Sequence, residues 1–173
     1  MDKAGGTMME GPSRIEDRVS AVWRDGDPVL WWNGEWMTAR KLFDMAEDSK
    51  MVLSGGGFRR GDRLMVLMPN CPALLALSIA CWRLGGTVVP VNPQAGPEAV
   101  LSSIDAVEPC AVVVGAPLEG AFSSLSESPV PVIPMPLDAP IDVFRGADTS
   151  ISEDHIALLF STSFRTFIHW GSS

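Results

Sequence analysis

The chain has 173 residues, of which 46% are hydrophobic and 20% charged, and its formal net charge is −8. This composition is typical of a single globular domain and argues against a disordered chain. An acidic chain without a basic run is also a poor partner for nucleic acid or for anionic membranes, since both are bound through several Lys or Arg side chains.

Residues 1–20 are polar and glycine-rich, and we expect a mobile segment there that lacks the apolar core of a secretory signal. The longest apolar stretch, "PALLALSIACW", is shorter than the ~20 residues that a membrane span needs, so no span is expected. Cys71, Cys81 and Cys110 contain no CxxC pair, which favours buried free thiols in the cytoplasm over a metal site or a disulfide.

The first predicted element is a β-hairpin in "DPVLWWNGEWMT" (27–38), because Asn33-Gly34 suits a tight two-residue turn. Its three tryptophans form either a surface on which a ligand stacks or the cover of a core edge, which is the commoner arrangement. Thr38 is expected to cap a helix over 39–53 that the glycines 55–57 end.

The next region, 62–114, predicts strands and helices in alternation. Its strands are continuous apolar runs, as expected of strands that are buried on both faces, so we predict an α/β fold with a mostly parallel sheet and flanking helices. Asn70 is the expected cap of the second helix, and the proline-rich region 115–150 is expected to be a loop with a short strand near 130–133. The predicted elements are strands 62–68, 87–91, 110–114 and 156–160 and helices 72–84 and 97–107.

Three sequence features have both a functional and a structural interpretation. "GGGFRRG" (55–61) has the wrong spacing and context for a dinucleotide loop, which favours a helix end. Cys71 at a helix N-terminus is either a nucleophile or, as we favour, a packing thiol. His155 and His169 have no partners in sequence that would support a metal site or a catalytic triad.

The remaining candidate is the hydroxyl triplet Ser161-Thr162-Ser163, which directly follows the apolar run 156–160. Hydroxyls and free backbone N–H groups after a buried strand bind phosphate in many proteins. Hydroxyl triplets at strand ends are also common, so on its own the triplet leaves the structural interpretation favoured.

Two stretches of the sequence resemble one family. "GDRLMVLMPNCPALLALSIACWRLGGTVVPVNP" (61–93) resembles the N-terminal signature of the AMP-forming acid–thiol ligases, and "DHIALLFSTS" (154–163) resembles the lead-in to their phosphate loop. The resemblance extends over about residues 27–163. Its matching positions are Asp62, Arg63, Pro69, Asn70, Gly85, Pro90, Asn92 and Pro93.

The resemblance implies the first part of a large N-terminal domain that activates a carboxylic acid, here expected to be a fatty acid. In the family, ATP and Mg²⁺ convert the acid into an acyl-adenylate, and a thiol of CoA or of a carrier protein then accepts the acyl group. Ser161, Thr162 and Ser163 would open the loop that holds the β- and γ-phosphates.

The sequence departs from the family after Ser163, where Phe164 replaces the first loop glycine and no lysine follows, leaving Arg165 as the nearest cation. We therefore expect a mobile segment 1–20, a partial ligase domain 21–163 and an unmatched tail 164–173. We expect the chain to be truncated within its phosphate loop and to be inactive as a ligase. The alternatives are a non-catalytic interaction or regulatory module, with self-association through an exposed apolar face, and an ATP-binding protein that uses the incomplete loop.

Overall fold

The structure is a computed structural model that describes residues 21–146. Its first element is the predicted hairpin, in which strands β1 (Pro28–Trp32) and β2 (Glu35–Thr38) pair antiparallel. Asn33 and Gly34 have φ values of 50° and 86°, the positive angles that a tight turn of this kind requires. The hairpin prediction is confirmed.

Helix α1 (Ala39–Gly55) follows the hairpin directly. The backbone N–H of Lys41 donates to Thr38 Oγ1 at 3.3 Å, so Thr38 caps the helix as predicted. The buried side of α1 repeats at helical spacing, and the helix ends in the glycine-rich turn that precedes Asp62. The side chain of Asp62 accepts from the backbone N–H of Arg59 at 2.8 Å, which confirms that "GGGFRRG" is a helix end and turn.

The region after this turn alternates as the sequence predicts. Among its elements are a 3₁₀ turn of three residues and a longer 3₁₀ helix of twelve residues. The bounds are β3 Arg63–Leu67, α2 Pro72–Arg83, β4 Thr87–Pro90, 3₁₀ turn Pro93–Ala95, α3 Pro97–Val107, β5 Ala111–Gly115, 3₁₀ helix Ala116–Glu127 and β6 Val132–Met135.

Strands β3 to β6 form one parallel sheet in the order β4-β3-β5-β6. Side chains of β3 alternate between its faces: Leu64 and Val66 lie in one apolar cluster, Met65 and Leu67 in another. Helices α1 and α2 cover the first face, and α3 with the long 3₁₀ helix covers the second. The predicted α/β fold with a parallel sheet, flanking helices and a preceding hairpin is confirmed.

Two local predictions were wrong or incomplete. Residue Cys71, not Asn70, is the N-cap of α2, and its side chain makes no capping hydrogen bond. The expected short strand near 130–133 is present as β6, shifted to Val132–Met135. The residues before it are not a loop, because the 3₁₀ helix places Phe122 and Leu125 in the core. Burial of these two side chains stabilises the helix, whereas the prolines of the region had indicated a loop. The predicted strand 156–160 lies outside the described residues.

A segment without regular secondary structure, residues 137–146, crosses over α1 and α2; we name it the strap. The carbonyl of Leu137 accepts from the N–H of Ala73 at 3.0 Å. Within the strap, Ile141 is 1% exposed and Phe144 7% exposed. Ile141 and Phe144 therefore anchor the strap in the packed core, although the strap has no helix or strand and Val143 between them is 63% exposed.

Among residues 21–146, no helix is both long and apolar enough to cross a membrane.

Candidate functional site

The order in which the chain adds strands to the parallel sheet reverses between β3 and β5. The connection after β3 runs through α2 on one face, whereas the connection after β5 runs through the 3₁₀ helix on the other. In open parallel sheets, ligands bind in the crevice that opens at the carboxyl ends of two such strands. The carboxyl ends of β3 and β5 are therefore the first place to look for a site among the described residues.

This crevice is filled by side chains. A Cβ atom added at Gly115, the last residue of β5, would lie 2.9 Å from Leu137 Cδ2 and 3.1 Å from Met68 Cβ. Leu137 and Met68 thus occupy the space beside Gly115 that a larger side chain would need.

The loop after β3 leads into α2 through Cys71. Its sulfur lies 3.6 Å from Met68 Sδ, and the side chain is buried. Burial raises the pKa of the Cys71 thiol above its usual range, with backbone hydrogen bonds opposing this. A nucleophilic cysteine needs the opposite shift, so the geometry favours the packing thiol over the nucleophile.

The first turn of α2 does not offer a set of open backbone donors either. The N–H of Ala73 is taken by the carbonyl of Leu137, and Pro72 has no N–H to donate. An anion at this helix N-terminus would have to displace the strap.

The loop after β4 contains Asn92, one of the positions that carry the family resemblance. Asn92 Oδ1 accepts from the backbone N–H of Gln94 at 3.0 Å and so caps the short 3₁₀ turn. Gly96 follows with a φ of 79° and is the N-cap of α3, which begins at Pro97. The Asn-Pro pair is explained by the turn that it builds.

The tryptophan hairpin combines the two interpretations that the sequence allows. Trp32 packs against the core, and its Nε1 is a buried donor without a partner in the structure of residues 21–146. Trp31 and Trp36 are 55% and 60% exposed and contact each other edge to face at 5.4 Å between ring centroids. A cavity of about 300 Å³ lies beside them, lined by Trp32, Asn33, Glu35, Trp36, Met37, Lys41 and Asp138.

A second cavity of about 220 Å³ lies between the long 3₁₀ helix and β6. Phe122, Val132 and Pro134 give it an apolar wall, and Glu119 is its one ionisable lining residue. Neither this cavity nor the hairpin cavity combines the hydroxyls and cations that a triphosphate needs.

The described residues also do not fit the magnesium ion and the nucleotide that the resemblance implies. Between residues 21 and 146 no group of three or more His, Cys, Asp or Glu side chains is placed to hold a metal ion. The phosphate-loop residues Ser161, Thr162 and Ser163, together with His155 and His169, lie outside the described residues. Their assignment as a phosphate site stays a prediction.

The strap is the feature that sequence reasoning missed. Leu137 fills the crevice at Gly115, and Ile141 and Phe144 enter the core. The prolines at 134, 136 and 140 indicated a loop, and the apolar residues Leu137, Ile141, Val143 and Phe144 were the signal that part of it is buried.

Comparison with known proteins matches residues 17–163 to the family of AMP-binding enzymes. The mitochondrial acyl-coenzyme A synthetase ACSM2 of Rattus norvegicus is 30% identical over 99 residues, which are 53% of this chain and 17% of the relative. The acetyl-coenzyme A synthetase of Syntrophobacter fumaroxidans is 32% identical over 69 residues, 40% of this chain and 10% of the relative. The chain thus spans less than a fifth of either relative's length.

Solved structures show the same fold. The long-chain-fatty-acid-CoA ligase of Archaeoglobus fulgidus has a TM-score of 0.67 at 20% identity, over 93% of this chain and 37% of that one. An anthranilate CoA ligase in complex with anthranoyl-AMP has a TM-score of 0.71 at 16% identity, over 87% and 31%. With 147 of its residues matched by the family model, from 17 through 163, the chain belongs to the family of AMP-binding enzymes and is similar to a part of acyl-CoA synthetases.

Proposed function

We propose that this chain is the first part of an enzyme that activates a fatty acid with ATP. The acid becomes an acyl-adenylate with release of pyrophosphate, and the acyl group then passes to a thiol of CoA or of a carrier protein. The observation that supports this most directly is the family match over residues 17–163, which includes the whole parallel sheet.

The fatty acid is the least constrained part of the proposal. The names of the similar proteins include acetyl-CoA, anthranilate-CoA and long-chain-fatty-acid-CoA ligases, so the family accepts acids of different size. Of the two cavities described above, the larger is lined by charged, polar and aromatic side chains, which do not suit an acyl chain. A longer protein containing this chain would bind the acid with residues outside 21–146.

For the cofactors, we propose that Ser161, Thr162 and Ser163 open the site for the phosphates of ATP, with Mg²⁺ held elsewhere in the enzyme. The close approach of Leu137 and Met68 to Gly115 supports a location away from the end of β5. The hydroxyls would donate hydrogen bonds to phosphate oxygens.

We further propose that the chain with the sequence given does not form adenylates. Phe164 replaces a glycine where a side chain would come close to the phosphates, and Arg165 is the only cation near the triplet. This division into a segment 1–20, a partial domain 21–163 and an unmatched tail 164–173 stays a prediction.

The experiment is ATP–pyrophosphate exchange with fatty acids of graded length. The purified 173-residue chain is expected to give no exchange above a control without enzyme; robust exchange would refute its inactivity. The comparison is the protein read from the same coding DNA in a frame that encodes Gly-Thr-Thr-Gly-x-Pro-Lys after Ser163. That protein is expected to catalyse ATP–pyrophosphate exchange. The ligase proposal would be contradicted if the DNA has no such frame, or if the protein that it encodes gives no exchange.

The second candidate function is a non-catalytic module that associates with a second copy of the chain. The exposed pair Trp31 and Trp36 favours it, because large aromatic side chains are common at protein interfaces. Sedimentation of the chain beside a Trp31→Ser, Trp36→Ser variant tests this. A dimer that the wild-type chain forms and the double variant does not form would support the module. If both proteins are monomers, the module is excluded.

A cytoplasmic location is also proposed. It is supported by three free buried thiols, which are usual in a reducing compartment. The competing location is the mitochondrion, which appears in the names of several relatives. Fractionation of cells that express the tagged full protein distinguishes the two.

A further inference from the structure

Within residues 21–146, the strap (137–146) makes few backbone hydrogen bonds to the rest of the domain. Apart from the 3.0 Å bond between Ala73 and Leu137, two long bonds are present among these residues. The N–H of Ile141 donates to Ser49 Oγ, and the N–H of Gly146 donates to the carbonyl of Gly56, both at 3.4 Å. Segments with few hydrogen bonds open at a smaller free energy than a parallel sheet does.

Two side chains anchor the strap. Ile141 and Phe144 are buried, and the ring of Phe144 packs edge to face on Phe58 at 5.9 Å between centroids. Phe144 fits because residue 56 is glycine. A Cβ atom added there would overlap the carbonyl oxygen of Phe144 and lie 2.6 Å from its ring carbon Cδ1. Gly56 itself has a φ of −85°, which any residue adopts, so this glycine is required for space alone.

The strap covers thiols at both of its ends. At the C-terminal end of the strap, a Cβ atom added to Gly146 would lie 3.8 Å from Cys110 Cβ, and Cys110 is fully buried. At the N-terminal end of the strap, the carbonyl of Leu137 accepts a hydrogen bond from the N–H of Ala73, the second residue after Cys71. All three thiols belong to the same apolar cluster as Ile141 and Phe144, and Cys110 and Cys71 are the two that lie next to the ends of the strap. Displacement of the strap would therefore remove part of the cover of each of these two thiols.

We propose that the strap opens as a unit, independently of the sheet, and that its opening exposes Cys110 and Cys71 to reagents in solution. Cys81 differs from these two thiols in its place in the fold, because it lies within a helix, in the last turn of α2. It stays covered until the helix leaves the sheet. The strap makes the thiol reactivity of this fold depend on a local conformational change.

Opening of the strap also has a chemical consequence. A thiol that reacts while the strap is open carries an adduct into a space that Gly146 fills in the closed state. Reaction of Cys110 with an electrophile would therefore hold the strap open.

The test is time-resolved labelling of the native chain with N-ethylmaleimide, followed by peptide mass spectrometry. The thiolate sulfur adds to the double bond of the maleimide, and a proton from water completes the product, so no oxidant is needed. In the wild-type protein, Cys110 and Cys71 are expected to react with rates that depend weakly on urea. Cys81 is expected to react only through global unfolding, with a steep dependence on urea.

A matched pair of glycine variants tests the role of the strap directly. Gly56→Ala pushes on Phe144 and is expected to raise the labelling rate of Cys110 about tenfold or more, without a change for Cys81. Gly55→Ala is the control, because a Cβ there meets nothing within 4 Å. It is expected to label like the wild type.

Three outcomes would overturn the proposal. One is that all three thiols of the wild type react with the same rate and the same urea dependence, which means that the strap opens only with the whole domain. Another is equal labelling of Cys110 in the two glycine variants. The last is parallel acceleration of Cys81 and Cys110 in Gly56→Ala. If Gly56→Ala does not fold, Phe144→Leu replaces it, and the wild-type urea dependence decides the proposal in any case.

Discussion

The guanidinium of Arg63 donates a hydrogen bond of 2.9 Å to the backbone carbonyl of Val107, 44 residues further along the chain. Arg63 is the first residue of β3, and Val107 is the last residue of α3. The bond places a positive charge on the carbonyl end of the helix, where the helix dipole favours it. A residue of the family signature thus holds α3 to the sheet.

We predict that Arg63→Ala lowers the free energy of unfolding by about 2 kcal/mol, since a partly buried charged hydrogen bond is lost. Arg63→Lys keeps the charge but not the planar group, and a smaller loss is expected. Urea denaturation measures both. Arg40→Ala is the control: its bond of 3.1 Å to Asp25 is exposed, and its loss is expected to remain below about 1 kcal/mol. Equal losses at 63 and 40 would contradict the structural role of Arg63.

A second prediction concerns Gly86, which lies where the turn after α2 enters β4. A Cβ there would overlap the ring of Phe58 and lie 3.0 Å from the carbonyl oxygen of Asp62. Gly86→Ala is expected to lower the free energy of unfolding by about 1–3 kcal/mol, as overpacking of a core does.

Thermal or urea unfolding measures the loss of stability in Gly86→Ala, and Gly120→Ala is the control. Residue 120 lies in the long 3₁₀ helix, and a Cβ there meets nothing within 4 Å. Its effect is expected to stay within about 0.5 kcal/mol, the range of ordinary surface substitutions. If the two variants are equally stable, the contact with Phe58 does not restrict residue 86.

The parts of the fold that the sequence predicted are those fixed by local chemistry. Asn33-Gly34 tolerates the positive φ of the hairpin turn, and Thr38 bonds to the first turn of α1. The continuous apolar run of β5 predicted a strand that is covered on both faces, which the two apolar clusters confirm.

The parts that could not be predicted depend on residues far apart in sequence. The side chain of Leu137 fills the space above Gly115, and the carbonyl of Leu137 bonds to Ala73 at the start of α2. No local pattern marks a residue that packs in this way. Of the candidate site, Ser161, Thr162 and Ser163 remain a prediction from resemblance because they lie outside the described residues.

A third prediction concerns the cap of α1. Thr38→Ala removes the acceptor of the 3.3 Å bond from the Lys41 N–H and is expected to lower the free energy of unfolding by about 1 kcal/mol. Thr38→Ser keeps the acceptor and is expected to retain most of the stability. Urea denaturation of both variants is the measurement, and a serine variant as unstable as the alanine variant would show that the methyl group, not the hydroxyl, is needed.

Stability at alkaline pH follows from the buried thiols. Burial raises the pKa of Cys110 from 9.0 to about 12, with the carboxylate of Asp62 adding to the shift. Burial also raises the pKa values of Cys71 and Cys81. In the unfolded chain the thiols lose their protons near their ordinary pKa, whereas in the folded chain they keep them. Their contribution to stability is therefore complete below about pH 9 and is lost progressively above it.

For Cys110, the loss is expected to approach 1.4 kcal/mol for each pH unit between about 9 and 12. The chain has no tyrosine, so no phenol titrates in this range. Urea denaturation at several pH values gives the slope for the wild type and for Cys110→Ala. The variant loses packing at every pH, but its alkaline slope is expected to be smaller by about 1.4 kcal/mol per pH unit. Parallel slopes would mean that Cys110 ionises as readily in the folded chain as in the unfolded one.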